Sequence, residues 1–221
     1  MSLRAWDVYA RSKQPRRLLN AAGERTWFNW TQYPDHGPGA ELLNPEPGTS
    51  MLDLGCGKGG NAAHLATLGV HVTGVDWSHR QIDAAQERWT GVTGLHLVVA
   101  DVVNFLATNA ATWDVIYSVF GVVWFHDPAA LLPLIRLRLR SGGQLAFSHL
   151  PPVEGCHGAQ AAFVRSSDTD ESLPVRRWDH TPETWLDCLE NTGFEPIEGR
   201  VVPPPEGVAD NGTLLVRARK V

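Results

Sequence analysis

The stretch Met51-Leu-Asp53-Leu-Gly55-Cys56-Gly57-Lys58-Gly59-Gly60 gathers the residues of this 221-residue chain best suited to chemistry. Its glycines let the backbone turn sharply and approach a ligand closely, at the N-terminus of a following helix. Two readings overlap there. Gly55-x-Gly57-x-x-Gly60 satisfies the dinucleotide-binding spacing, and Asp76 lies about where that fingerprint wants a ribose-binding acid. Asp53-x-Gly55-x-Gly57-x-Gly59 is complete as well. A carboxylate two residues before Gly55 repels a pyrophosphate but suits a ligand that carries an ammonium group. A further acid, Asp101, ends a third apolar run, in reach of an adenine edge.

These residues need a frame, and the chain from about residue 50 supplies one by alternating strand-like and helical stretches, the mark of a parallel sheet wrapped by helices. Strands are expected at 50–54, 71–75, 95–99, 113–118 and 143–148. Helices are expected at 61–68, from Ser78 to about Trp89, at 101–106, and from the Asp127-Pro128 start to about Arg138. Thr181-Pro182 opens a further helix that closes near Gly193, and 194–201 with 213–219 form a last antiparallel pair. The fold class is therefore α/β: a doubly wound, mostly parallel seven-stranded sheet with an antiparallel C-terminal strand and helices on both faces. One domain is expected over 1–221. It divides into an N-terminal helical lid (1–45), a cofactor-binding core (46–150), a substrate-side insertion (151–180), and a C-terminal helix with a strand pair (181–221). In such folds the ligand sits beyond the carboxyl ends of the strands, where the two flanking segments would form a lid and a wall.

With motifs in this order, the chain resembles the class I S-adenosylmethionine-dependent methyltransferase family, from about residue 50 to 150 and through the closing strands to the C-terminus. The resemblance implies that the glycine loop Asp53-Leu-Gly55-Cys56-Gly57-Lys-Gly59 wraps the methionine end of S-adenosylmethionine. It implies that Asp76, followed by Trp77, accepts bonds from both ribose hydroxyls, and that Asp101, followed by Val102, faces the adenine amino group. The stretch Trp113-Asp-Val-Ile-Tyr-Ser118-Val-Phe120 matches the fourth-strand motif, whose end lies near the transferred methyl. Tyr9 resembles part of the N-terminal Trp/Tyr pair that covers the cofactor in small-molecule members; the alternative is a helix packing its own aromatic stripe. Lys58 stands at a variable place in the loop and is expected to point to water. S-adenosylhomocysteine would be the product. The alternatives are an NAD-dependent oxidoreductase using the overlapping fingerprint, and an inactive cofactor-binding scaffold.

Methyl transfer is an in-line displacement, so the protein mainly positions the reactants and adds a base where the acceptor is a hydroxyl. Of nine His, four fall near the active edge: His36, His126, His149 and His180. His149, at the end of the fifth strand, is the first choice for general base. His126 is the second, with a loop-holding role as its alternative. Nine Trp also stand out, since Trp makes a flat wall against an organic ligand. The acceptor is expected to meet Trp30, Tyr33, His36, Phe120, Arg177 and Trp178.

A formal charge of −5 and short, interrupted basic stretches (Lys13 to Arg17, Arg136 to Arg140) argue against a nucleic-acid surface. Three scattered cysteines without a CxxC pair fit a reducing compartment, and no apolar run approaches membrane-spanning length. No carboxylate/His cluster suggests a metal. The expectation is a cytoplasmic enzyme of natural-product biosynthesis, monomer or homodimer, that methylates an oxygen or nitrogen of an aromatic or bulky small molecule, with no nucleic-acid or membrane partner.

Overall fold

The computed structural model describes residues 3–10, 19–165 and 171–221; Lys13 to Arg17 and part of the Ser/Asp-rich tract, 166–170, lie outside the described residues. Its strands are β1 (Ser50–Leu54), β2 (His71–Asp76), β3 (Leu95–Val99), β4 (Trp113–Val119), β5 (Leu139–His149), β6 (Gly158–Arg165), β7 (Ser172–Asp179), β8 (Phe194–Val202) and β9 (Thr213–Lys220). The helices are α1 (Leu3–Ala10), α2 (Gly60–Thr67), α3 (His79–Arg88), α4 (Val102–Thr108), α5 (Val122–Phe125), α6 (Pro128–Arg138) and α7 (Pro182–Asn191).

Seven strands form one sheet in the order β3-β2-β1-β4-β5-β9-β8. β1 to β5 run parallel, and β9 runs antiparallel to both β5 and β8. Winding runs outward from β1 to β3, then restarts at β4 on the other side of β1. The carboxyl ends of β1 and β4 therefore flank a topological switch point, where doubly wound sheets open a crevice.

Side chains alternate between the two faces with the strand period of two, and the central strands are buried on both. Leu52, Leu54, Ile116, Leu145 and Phe147 pack on one face with Trp185 and the apolar side of α6. Met51, Val115, Tyr117 and Ala146 pack on the other with Leu65, Phe28 and Trp30. Helix starts follow ordinary capping chemistry. Asp101 caps α4 through Asn104 N–H, Asp127 caps α6 through Ala129 N–H, and Thr181 caps α7 through Thr184 N–H.

The two flanking segments differ from the sequence expectation. Among the described residues of 1–45, helix is confined to α1 and a 3-10 turn at Ala40–Leu43. The described part of the span between them, 19–39, is irregular, because its Gly/Pro content breaks helix and its aromatic residues anchor on the sheet instead. Segment 151–180 is built on a separate antiparallel ribbon, β6 with β7, in register from Gly158↔Asp179 to Arg165↔Ser172. Helix α1 lies on that ribbon through Ala5, Val8, Val164 and Val175. A hydrogen bond from Ser78 Oγ to Asp7 Oδ1, at 2.8 Å, ties α1 also to the start of α3.

Candidate active site

The glycine loop leaves β1 through three left-handed turns, with φ of 79° at Gly55, 53° at Gly57 and 68° at Gly59. Gly55 and Cys56 donate their N–H groups to Val75 O, which staples the loop to β2. Each glycine answers a different constraint. A Cβ on Gly55 would press on Val122 at 3.1 Å. On Gly57 it would meet nothing nearer than Gln81 Nε2 at 3.9 Å, so this stretch of backbone faces open space. Gly59 caps α2 from behind the loop, against Ala85 and Trp89.

Asp76, at the end of β2, accepts Gly57 N–H on Oδ2 and Ser78 N–H on Oδ1, both at 2.9 Å. Its two oxygens are thus aimed by two loops, and each keeps a lone pair for a further donor. Burial raises the Asp76 carboxyl above the usual carboxylate range, against the pull of those N–H bonds. Asp53 is 3% exposed and lies beside the Tyr117 hydroxyl, whose pKa burial first and Asp53 second push far up. Burial, Asp53 and Asp76 also raise the Cys56 thiol well above its usual value, so it stays protonated and is no nucleophile. Asp101 spends one oxygen capping α4 at 2.9 Å.

A cavity of about 240 Å³ opens at this point. Asp53, Gly55, Cys56, Gly57 and Lys58 form its floor, Asp76 with Trp77 and Asp101 with Val102 one side, and Trp6 and Tyr9 of α1 lean over it. The opposite wall runs from Val119 to Val122 and on to Phe125 and His126. Phe120 adopts φ 50°, a costly left-handed conformation for a bulky residue, held by donation of its N–H to Ser148 O at 2.8 Å. Trp6 packs edge-on to Phe125 at 4.6 Å. Asn61 and Gln81 complete the lining.

His126 Nδ1 lies 3.1 Å from Val122 O. A carbonyl only accepts, so Nδ1 carries the proton and Nε2 holds the lone pair. Burial lowers this imidazole below its usual pKa, with the bond to the Val122 carbonyl and then Asp101 pulling the other way. The ring is therefore neutral at neutral pH and able to take a proton.

Several sequence expectations need correction. His149 does not reach the cavity. It is fully buried, donates Nδ1–H to Leu150 O at 2.7 Å, and stacks on Trp124 at 5.3 Å and 6°. Burial brings its pKa down to about 4, which makes it a weak base behind the wall. Ser118 points into the sheet and donates to Leu54 O at 2.8 Å; its neighbour Val119 takes the cavity side because strand side chains alternate. Trp30 is a core residue beneath the sheet edge, its indole donating to Gly39 O. Tyr33 packs edge-on to His36, and His36 Nε2 bonds Pro203 O at 2.9 Å, all clear of the cavity lining. Arg177 pairs with buried Asp179 at 2.8 Å. Trp178, its neighbour on the ribbon, faces a different cleft with His180 and Leu132. Lys58, expected in water, lines the cavity. Gln81 carried no motif and was legible only as a member of the helix from Ser78, and Phe125 fell in no predicted element.

Gly59, also expected at the cofactor, lies behind the loop and does not line the cavity, whereas Tyr9, Asp53, Gly55, Cys56, Gly57, Asp76, Trp77, Asp101, Val102, Phe120 and His126 all line it. Among the described residues no group of three His, Cys, Asp or Glu could hold a metal ion, and no helix is long and apolar enough to cross a membrane.

Residues 51–143 match the family model of a methyltransferase domain. The chain is 31% identical over 179 residues to the O-methyltransferase rstn1 of Aspergillus nomiae, which covers 77% of this chain and 75% of that protein. It is 36% identical over 118 residues to an O-methyltransferase of Pyrenophora dematioidea, spanning 52% of this chain and less than half, 44%, of that one. An S-adenosylmethionine-dependent methyltransferase structure from Mesorhizobium loti superposes with a TM-score of 0.63 at 21% identity, over 81% of this chain and 94% of the other.

Proposed function

The chain belongs to the class I S-adenosylmethionine-dependent methyltransferases, and from that premise we propose that it methylates a hydroxyl oxygen of an aromatic or bulky small molecule, with His126 as the proton acceptor. The cavity fits the cofactor. Asp76 has two aimed oxygens for a pair of ribose hydroxyls, the Gly57 backbone has room for a ligand where a side chain would stand, and Asp53 suits an ammonium group. Asp101 has a carboxyl oxygen beyond the one that caps α4, suited to an adenine amino group. The bound cofactor supplies a methyl group on a sulfonium, poised for in-line displacement.

One observation carries the choice of acceptor. His126, with Nδ1–H committed to Val122 O and Nε2 left as acceptor, lines the same cavity as the acids, beside the aromatic rings of Trp6, Phe120 and Phe125. A flat apolar acceptor lies well against such rings, and a hydroxyl needs a base where an aromatic amine, neutral at pH 7, does not. The names of the two fungal relatives, both O-methyltransferases, support the same atom. An acidic balance of −5 supports a small molecule over a nucleic acid, and three free cysteines support a reducing compartment, the cytoplasm. The reading leaves room for a monomer or a homodimer.

The test is a panel of phenols and aromatic amines incubated with S-adenosylmethionine, with S-adenosylhomocysteine release as readout, for wild type and His126→Ala. Turnover of a phenol that falls about a hundredfold in the variant supports the proposal. Equal turnover in both proteins removes His126 from the chemistry, and turnover confined to amines removes the oxygen.

A further inference from the structure

Helix α5 carries much of the acceptor wall, yet little in its own sequence holds it. It is a single turn, Val122–Phe125, and its N-cap is Gly121, which offers no side-chain hydrogen bond. One isolated turn has negligible stability, because nucleation fixes several dihedrals for a single backbone bond. Something outside must fix where Phe120, Phe125 and His126 sit.

Trp124, on the turn's inner side, is the contact point. Its ring lies 6.2 Å from Phe120 and 5.1 Å from Phe125, so it touches aromatic wall residues on both sides of it in the chain. Its indole Nε1–H donates to Asp179 Oδ1 at 2.8 Å. Asp179 is 1% exposed and ends β7. A buried carboxylate needs a partner, and Asp179 Oδ2 receives Arg177 Nε at 2.8 Å. Arg177 stands two residues earlier on the same ribbon face, with its guanidinium 5.1 Å from the centre of the Trp124 ring. The neutral His149 ring stacks on Trp124 as well. None of Trp124, Arg177, Asp179 or His149 lines the cavity.

We propose that Asp179, held by Arg177, is a positioning residue: through its hydrogen bond to Trp124 it clamps α5 to the β6–β7 ribbon and so sets the acceptor wall and the His126 ring. Two rigid anchors and one charge-assisted bond replace the capping that the turn lacks. The cofactor acids sit on β1, β2 and the start of α4; α5 meets the cofactor loop where Val122 abuts Gly55, whose N–H is held from the other side by Val75 O, so the clamp acts first on the acceptor side. The inference rests on the reading that this wall meets the acceptor.

The test uses the ligand-free full chain. Histidine titration by two-dimensional NMR, with the His126 signal assigned by its loss in His126→Ala, is compared for wild type, Trp124→Phe and Asp179→Asn. Trp124→Phe keeps an aromatic ring in the stack but removes the indole donor together with part of the ring system; Asp179→Asn keeps an acceptor oxygen but releases Arg177. Freed from its buried seat, the His126 imidazole is expected to titrate higher in Trp124→Phe than in wild type, toward its ordinary value, and less so in Asp179→Asn. S-adenosylhomocysteine affinity, measured on the same samples, is expected to stay within about twofold. An unchanged His126 titration in Trp124→Phe overturns the proposal, as does cofactor affinity that falls along with it. Full turnover by His126→Ala would instead defeat the proton-acceptor reading, and the titration would still decide the clamp.

Discussion

Gly57→Ala and Gly59→Ala form a matched pair that separates backbone strain from loss of cofactor space. Both positions hold positive φ, 53° and 68°, so a Cβ on either costs on the order of 1–2 kcal/mol in the folded protein. For a chain of this length that lowers the melting temperature by roughly 2–8 °C in each variant. The surroundings then part company. A Cβ on Gly59 sits 3.4 Å from Ala85 and Trp89, an ordinary packing contact on the far side of the loop. A Cβ on Gly57 has no protein atom nearer than 3.9 Å and projects where the loop backbone lines the cavity. A methyl forced into a close-fitting cradle costs roughly 1–3 kcal/mol, or about five- to 150-fold in affinity. Calorimetric titration with S-adenosylhomocysteine, paired with thermal melts, is the assay. The expected result is similar melting losses with affinity lost in Gly57→Ala alone and held within about threefold in Gly59→Ala. Equal affinity losses in the two variants, or none in Gly57→Ala, would refute the claim that the Gly57 backbone is the cradle.

Three other outcomes follow from the same geometry. Asp76→Asn leaves one acceptor oxygen where two backbone N–H groups point in, so one clamp fails and S-adenosylhomocysteine affinity should fall about ten- to a hundredfold. Since burial raises Asp76, wild-type affinity should weaken on acidification before ordinary carboxylates titrate. Turnover of a phenol should fall at low pH as His126 takes a proton, with a midpoint below 6.5 because burial lowers its pKa; an acid limb centred above 6.5 contradicts this. His149 stays neutral in the folded chain down to about 4, whereas unfolded His protonates near 6.5, so its burial removes stability as pH falls from 6.5 toward 4. Between pH 7 and 5 that is about 2 kcal/mol, and denaturant unfolding of His149→Phe should show a pH slope reduced by that amount.

The cofactor side was legible because its signals are local. Asp53, the glycines and Asp76 follow from a strand, a turn and a second strand in short sequence order, and spacing alone places the acids on adjacent strand ends. That β1 to β5 are strands of one parallel sheet followed from the same alternation, while their order came from the structure. The acceptor side was not, because it depends on direction and on distant partners. Ser118 and Val119 are neighbours whose roles swap with strand parity, and parity at a strand end is set by the register Ser118↔Phe147. His149 sits at the strand end expected of a base, yet Trp124 and Trp185, from elements not adjacent in sequence, enclose it. Pro174 and the polar tract before β7 hid a ribbon whose apolar face is covered by α1 and Phe125, far away in sequence. Trp30, attractive as a ligand wall, is held in the core by Phe28 and Tyr117.

The central claim, that this cavity binds S-adenosylmethionine through Asp76 and the glycine loop, is tested most directly by calorimetric titration of wild type and Asp76→Ala with S-adenosylhomocysteine, alongside NADH. Saturable one-to-one binding of S-adenosylhomocysteine to wild type, its loss in Asp76→Ala, and no heat with NADH is the predicted result. Binding of NADH in its place, or S-adenosylhomocysteine binding indifferent to Asp76, would contradict the account.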